Sequence, residues 1–366
     1  MKQYPIRLTR YLYFLDEAIY TLQDRMIHKN GGGFKEIVWW CGEIYYSGFY
    51  EDLWDFMFSF YYNFKCIIYP KYERLLCEFY ASFQKKQQIN YILSALTILY
   101  NSKVDFKIFK LWNQSDNSNI KIFTGRPPQW LKQLNIKRSE RNMIRSIHDK
   151  NDTNILYYIK NGEINELYDT VIDYFKQIHN LNLSKKSLED IPYSNKSHIL
   201  FALVYYLYQP AKLIEKNTIY IEYNHDEYEN YLNNDNKGVV PVYKTLGVRV
   251  RYPISNNIGC FPLKRYTCDY KEIYRLYWEY YAYETPLWKK RFDKYNISIN
   301  NSKRMICFND DLEYEEFGER FYFENDEQSQ KIQNYSIGNI PKSKDFIINK
   351  LNTIKKGNII ISTNGL

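Results

Sequence analysis

Residues 72–96 read YERLLCEFYASFQKKQQINYILSAL. Tyr72, Leu75, Leu76, Phe79, Tyr80 and Phe83 recur at steps of three and four, and Ile89, Ile92, Leu93 and Leu96 do the same. That spacing gathers each set on one face of a 3.6-residue helix. Upstream the pattern repeats. Leu53, Met57, Phe60, Tyr61 and Phe64 make one stripe, and Ile37, Trp40, Cys41 and Ile44 another, stopped near Ser47-Gly48. Tyr11, Leu15, Ala18, Ile19, Leu22 and Met26 make the first. His28-Lys29-Asn30-Gly31-Gly32-Gly33 breaks the chain between the first two stripes, because three glycines end a helix and turn it. Helices of about 12–18 residues with short connections pack as antiparallel neighbours. The expected fold is therefore mostly α, an antiparallel helical array or solenoid-like bundle. No fixed-period repeat accompanies it, so "solenoid" describes shape alone.

Downstream, Asn113-Gln114-Ser115-Asp116-Asn117-Ser118-Asn119 marks a loop and a domain boundary. Arg126-Pro127-Pro128-Gln129-Trp130 follows, then a basic helix from Ser139. Helical spacing returns at Ile164, Leu167, Tyr168, Val171, Phe175 and Ile178, and at Ile199, Leu203, Tyr206 and Leu207. Thr218–Tyr223 alternates with period two and reads as a strand or as the start of a helix. From Gly238 to Leu263, Val239, Val240, Val242, Val248 and Val250 mix with Gly and Pro, which suggests a small hairpin or irregular β insert. Tyr270, Ile273, Tyr274, Tyr277, Trp278 and Tyr281 form a further stripe. Thr285-Pro286 then opens a helix through Leu287, Trp288, Phe292 and Tyr295, with Thr at the N-cap and Pro at the first helical position. Phe346–Ile354 offers a last amphipathic segment. The expected organisation is an N-terminal helical array (1–112), a middle helical region (120–235), and a C-terminal α-rich region (236–366) holding the β insert near 238–263 and an acidic run.

The chain has 366 residues, 45% of them hydrophobic, enough for two or three domains with real cores and too apolar for wholesale disorder. Its 50 Lys+Arg against 42 Asp+Glu leave a net charge of +8, which permits a polyanionic partner without demanding one. There are 39 Tyr and only six Ala. An AT-rich genome accounts for that balance; base-stacking platforms are the functional reading, and a Tyr ring with its hydroxyl suits core and surface alike.

No uncharged apolar run follows the charged opening residues, so no secretory leader is expected. No stretch reaches the ~18 apolar residues of a membrane span. The best candidate, Ile37–Tyr69, is interrupted by Glu43, Glu51, Asp52 and Asp55. Six Cys without a CxxC pair read as reduced thiols. The expectation is a soluble intracellular protein with no membrane association, its oligomeric state open.

Motifs for catalysis are missing. Asn30–Lys35 is glycine-rich but lacks the spacing that wraps a phosphate, and neither GxSxG nor HExxH occurs. The five His (His28, His148, His179, His198, His225) are scattered without metal-ligand spacing, and Cys260 and Cys268 have no companion His or Cys pair. No metal or cofactor is expected. Between Asp310 and Glu327 nine acids stand against one base, Arg320. A two-metal nuclease would hold Mg²⁺ with such groups, but draws its carboxylates from separated elements. The run reads instead as a solvated helix face or as the mate of a basic partner.

Basic clusters carry the first functional lead. Arg126, Lys132, Lys137, Arg138, Arg141 and Arg145 fall within twenty residues, and Arg138, Arg141 and Arg145 share one helical face. Phosphate recognition draws most of its non-specific affinity from such charge, and Trp130 would stack a base. A second cluster joins Lys244, Arg249, Arg251, Lys264 and Arg265 with Tyr243, Tyr252 and Tyr266. Both clusters also read as ordinary charged surface or as a seat for an acidic protein.

Glu17-Ala18-Ile19, Ile27-His28 and Glu36-Ile37-Val38-Trp39-Trp40-Cys41-Gly42-Glu43-Ile44-Tyr45-Tyr46-Ser47-Gly48 resemble stretches of uncharacterised proteins of nucleocytoplasmic large DNA viruses, the mimivirus-like giant viruses. Pro286-Leu287-Trp288-Lys289-Lys290-Arg291 and Asp326-Glu327-Gln328 resemble them too. The resemblance implies a virus factory, host cytoplasm or virion as the setting and brings no activity with it. The N-terminal helix pair is also similar to the helical domain of clamp-loader-like AAA+ ATPases over some fifty residues; no Walker motif accompanies it, so ATPase activity is not implied. The functional expectation is a nucleic-acid-associated replication or transcription factor; the alternative is a structural or interaction protein whose acidic run at 310–327 meets a basic partner.

Overall fold

The structure is a computed structural model that describes residues 6–29, 33–114, 120, 123, 126–132, 134, 136–183, 187–208, 272–273 and 276–321. Among the described residues there are fourteen α-helices and one two-stranded antiparallel sheet, so the fold is mostly α as expected. The chain divides into two compact units. One is built from residues 1–53 and 223–366, the other from the continuous segment 54–222. The 218–223 and 238–263 segments and Phe346–Ile354 lie outside the described residues.

In the first unit, an irregular lead carries the isolated bridge Leu8↔Phe14 into α1 (Leu15–His28). Helix α2 (Phe34–Tyr46) follows, and α3 (Tyr50–Phe64) starts in this unit. Lys29, at the end of α1, adopts the left-handed conformation (φ 50°) more usual for Gly or Asn. The later part of the unit contains α12 (Trp278–Ala282), α13 (Pro286–Phe292), the hairpin β1 (Ser298–Asn300) and β2 (Met305–Cys307), and α14 (Asp311–Phe321). In the hairpin, Ile299 faces Ile306. Leu12, Leu22, Met26, Ile37, Trp40, Ile44, Trp288, Phe292 and Phe317 are buried in this unit.

Its two chain segments are stitched by specific bonds. Thr285 stands at the N-cap of α13, ahead of Pro286, but makes no side-chain cap bond; its hydroxyl donates to the Leu8 carbonyl instead. Trp288 Nε1 donates to Thr9 O at 3.3 Å, and Leu287 N to Ser47 O at 3.3 Å. Gly48 (φ +92°) sits where a Cβ would lie 2.6 Å from Pro286 Cβ, so both the turn and the close approach require glycine. Beneath this seam Arg10 and Glu43 are fully buried. Arg10 Nε donates to Glu43 Oε2 at 2.7 Å, and Tyr11 N to Oε1 at 2.9 Å. The guanidinium lies between the rings of Tyr11 (4.7 Å) and Tyr46 (4.9 Å).

The second unit holds the rest of α3, then α4 (Tyr72–Lys86), α5 (Ile89–Asn101), α6 (Lys107–Gln114), the short α7 (Gln129–Lys132), α8 (Arg138–His148), α9 (Asp152–Asn161), α10 (Ile164–His179) and α11 (Lys196–Leu207). The stripes quoted at the outset are α4 and α5, with Gln87 in left-handed conformation (φ 49°) closing α4. Asn151 and Asn195 cap α9 and α11 by accepting from Asn154 N and His198 N. The Lys65 side chain is buried and donates to Ser102 O (2.6 Å) and Lys103 O (3.1 Å), just past the carbonyl end of α5, where a cation is favoured. Many tyrosines sit in the core with the hydroxyl anchored: Tyr61 donates to Pro70 O, and Tyr62 to Glu73.

Candidate binding surfaces

The first basic cluster falls on α7, α8 and the segment before them. Local signals make α8: Met143, Ile144 and Ile147 form its buried face, and Glu140 closes its first turn by accepting from Lys137 N at 3.3 Å. Glu140 is itself buried and accepts the Thr170 hydroxyl at 2.8 Å, tying α8 to α10.

The structure shows how these cations are used. Arg126 and Lys132 are exposed. Lys137 is exposed and ion-paired with Glu166, whose hydrogen bond holds the ammonium above the ordinary lysine value. Arg138 opens α8. Arg141 is half-buried, and its Nε is shielded from solvent with no acceptor among the described residues. Arg145 is half-buried, its guanidinium 4.3 Å from the centre of the Phe123 ring. Trp130 is half-buried and stacks on His148 (4.4 Å, 28°), with Tyr174 at 6.0 Å. Three of these groups therefore already have partners within the unit. Arg249, Arg251, Lys264 and Arg265 lie outside the described residues.

The acidic run forms α14 as far as Phe321, and its remainder lies outside the described residues. Phe317 is buried on the inner face, stacked on Phe292 at 4.6 Å. Asp311, Leu312, Glu315, Glu316 and Glu319 are exposed, and the i, i+3, i+4, i+7 spacing from Leu312 puts one apolar residue in an acidic stripe. Leu312 is 76% exposed; among the described residues Arg320 pairs with Glu316 at 3.9 Å.

The histidines, scattered along the sequence, gain neighbours only in the fold. His148 and His179 are the last residues of α8 and α10, and one ring nitrogen of each reaches the Tyr174 hydroxyl. Helix boundaries would have placed each at a helix C-terminus, but only the tertiary fold brings them to one oxygen. His198 is 1% exposed, its ring 4.6 Å from that of Trp112 and tilted to it, with Nδ1 3.1 Å from the Tyr193 hydroxyl. Its Nε2 is buried with no partner among the described residues. Burial first, and Lys160 second, push its pKa down to about 3.

Among the described residues no three His, Cys, Asp or Glu side chains converge to hold a metal ion, and no helix is long and apolar enough to cross a membrane. Comparison with protein-family models, curated proteins and solved structures returns no match.

Proposed function

We propose that this protein acts as an interaction protein, binding a basic helical partner through the outer face of α14. The observation that carries this is the exposed Leu312 set among exposed Asp311, Glu315, Glu316 and Glu319. Charge complementarity selects a partner with Lys or Arg at helical spacing and one apolar residue to cover Leu312; such charge steers encounter, and the apolar contact holds it. The resemblance to giant-virus proteins makes virion or virus-factory proteins the natural pool.

The test is fluorescence anisotropy of a labelled amphipathic Lys/Leu helix peptide titrated with the full chain. Saturable binding that weakens about tenfold or more in E315K/E316K/E319K, and a few-fold in L312S, supports the reading. Equal binding by the charge-reversed chain overturns it.

Nucleic-acid association is the second reading, favoured by exposed Arg126 and Lys132. Anisotropy with single- and double-stranded DNA and RNA between about 50 and 200 mM salt tests it, each phosphate contact adding about −0.9 to the log–log slope on duplex. The R126E/K132E chain should lose about two contacts from that slope; an unchanged slope removes the reading.

A further inference from the structure

At the ends of α8 and α10, two exposed histidines meet one buried hydroxyl. His148 Nδ1 is 3.2 Å and His179 Nε2 is 3.1 Å from the hydroxyl of Tyr174, which is 1% exposed. A phenol has one proton to give and lone pairs to receive. With both imidazoles neutral, one must accept from Tyr174 while the other donates to it.

The surroundings set the direction. Facing His179 are His148 and Lys150 from the end of α8 and the ring of Phe175 (5.2 Å), with Lys176 one turn earlier on its own helix. Asp149 acts on Tyr174, and α7 contributes the Trp130 ring against His148, with exposed Lys132 beyond it. Positive neighbours outnumber negative ones around His179. Burial, then His148 and Lys150, hold its pKa below the ordinary histidine value, although the carbonyl end of α10 pulls the other way. His179 is therefore the acceptor. Tyr174, whose pKa is pushed up to about 12 by burial and then by Asp149, keeps its proton to donate. His148 completes the chain with its Nδ1–H.

We propose that this His148–Tyr174–His179 chain is a proton-operated latch that holds the C-terminal ends of α8 and α10 together and opens when both rings carry a proton. A first proton is taken up by reversing the chain, His179 Nε2–H donating to the Tyr174 oxygen and Tyr174 O–H to His148 Nδ1; a second leaves the buried Tyr174 O–H without an acceptor and sets two imidazolium cations side by side near Lys150. The inference is independent of both readings of function above.

The experiment uses the full chain. Long-range ¹H–¹⁵N spectra of its five histidines between pH 8 and 4.5 report ring protonation, and hydrogen exchange followed by mass spectrometry reads peptides covering residues 143–150 and 171–183. Expected is a His179 titration midpoint below about 6.5. Exchange in both peptides, corrected for intrinsic rate, should rise roughly tenfold through the later of the His148 and His179 midpoints, the scale of one lost buried hydrogen bond. Tyr174→Phe keeps the ring and should abolish the step. His179→Gln keeps an acceptor that does not titrate and should hold the latch closed across the range. The proposal is overturned if both His148 and His179 titrate with exchange unchanged, or if the step survives in Tyr174→Phe.

Discussion

The two units each bury an ionisable group in an aromatic setting, and they neutralise it differently. In the first unit Arg10 and Glu43 are both charged groups held in contact, the guanidinium between two tyrosine rings. Burial raises the Glu43 carboxyl above its ordinary value, against the opposing pull of Arg10, the Thr9 side chain and the Tyr11 amide. In the second unit His198 has no counter-ion among the described residues; Trp112 and Tyr193 flank it, and burial keeps it uncharged. A buried pair is vulnerable to losing a partner, whereas a buried neutral ring is vulnerable to gaining a proton. The two regions should therefore fail under different perturbations.

The largest effect is expected from Arg10→Met, which strands the Glu43 carboxyl. It should cost about 3–5 kcal/mol in urea denaturation, while the double variant Arg10→Met/Glu43→Leu recovers most of that loss. A cost below about 1 kcal/mol would erase the contrast between the units.

Acid should act on the second unit through His198. The unfolded histidine binds a proton near pH 6.5 and the folded one only near pH 3, so the unfolded state takes up more protons as pH falls. The stabilising contribution is complete above about pH 6.5, and roughly 3 kcal/mol of it is lost by pH 4. Denaturation midpoints measured from pH 7.5 to 4 should slope less in His198→Phe than in the parent chain, and parallel slopes would deny the neutral-ring account.

Thr285→Val sharpens the picture of the first unit, since it leaves the Leu8 carbonyl buried without its donor. About 1–2 kcal/mol should be lost, visible as a lowered urea midpoint at unchanged slope. Arg74→Ala is the control. Arg74 and Glu78 form an exposed i, i+4 pair at 2.8 Å, and thermal denaturation should register less than about 0.5 kcal/mol.

Much of the fold was legible where apolar spacing is clean. The five N-terminal stripes lie on α1–α5, with one displaced boundary: the stripe from Tyr11 implies a helix there, whereas α1 begins at Leu15. Residues 8–14 stay irregular because Arg10 and Tyr11 are held on Glu43, and Leu12 turns with φ 55°. Helix α9 went unread because Asn151-Asp152-Thr153-Asn154 looks like loop. Asn151 is in fact its cap, and Ile155, Leu156 and Ile159 its buried face. The candidate sites were legible only as residue types. Spacing located the cations on α8 but carries no trace of Phe123 beneath Arg145 or of His148 beneath Trp130. Those pairings arise from packing between elements, which periodicity within one element does not encode.

The stitches of the first unit have a consequence for how the protein is made. Thr285 and Trp288 close on Leu8 and Thr9 across 277 and 279 residues. A ribosome adding about 5–20 residues per second delivers the second partner roughly 15–55 s after the first. All of residues 54–222 emerges in that interval and can fold as a continuous block, while the Leu8–Thr9 lead and the Ser47–Gly48 turn wait for the segment that bonds to them. The nascent chain is thus a finished insert carried on a half-built core, and that waiting state is where chaperones and misassembly compete.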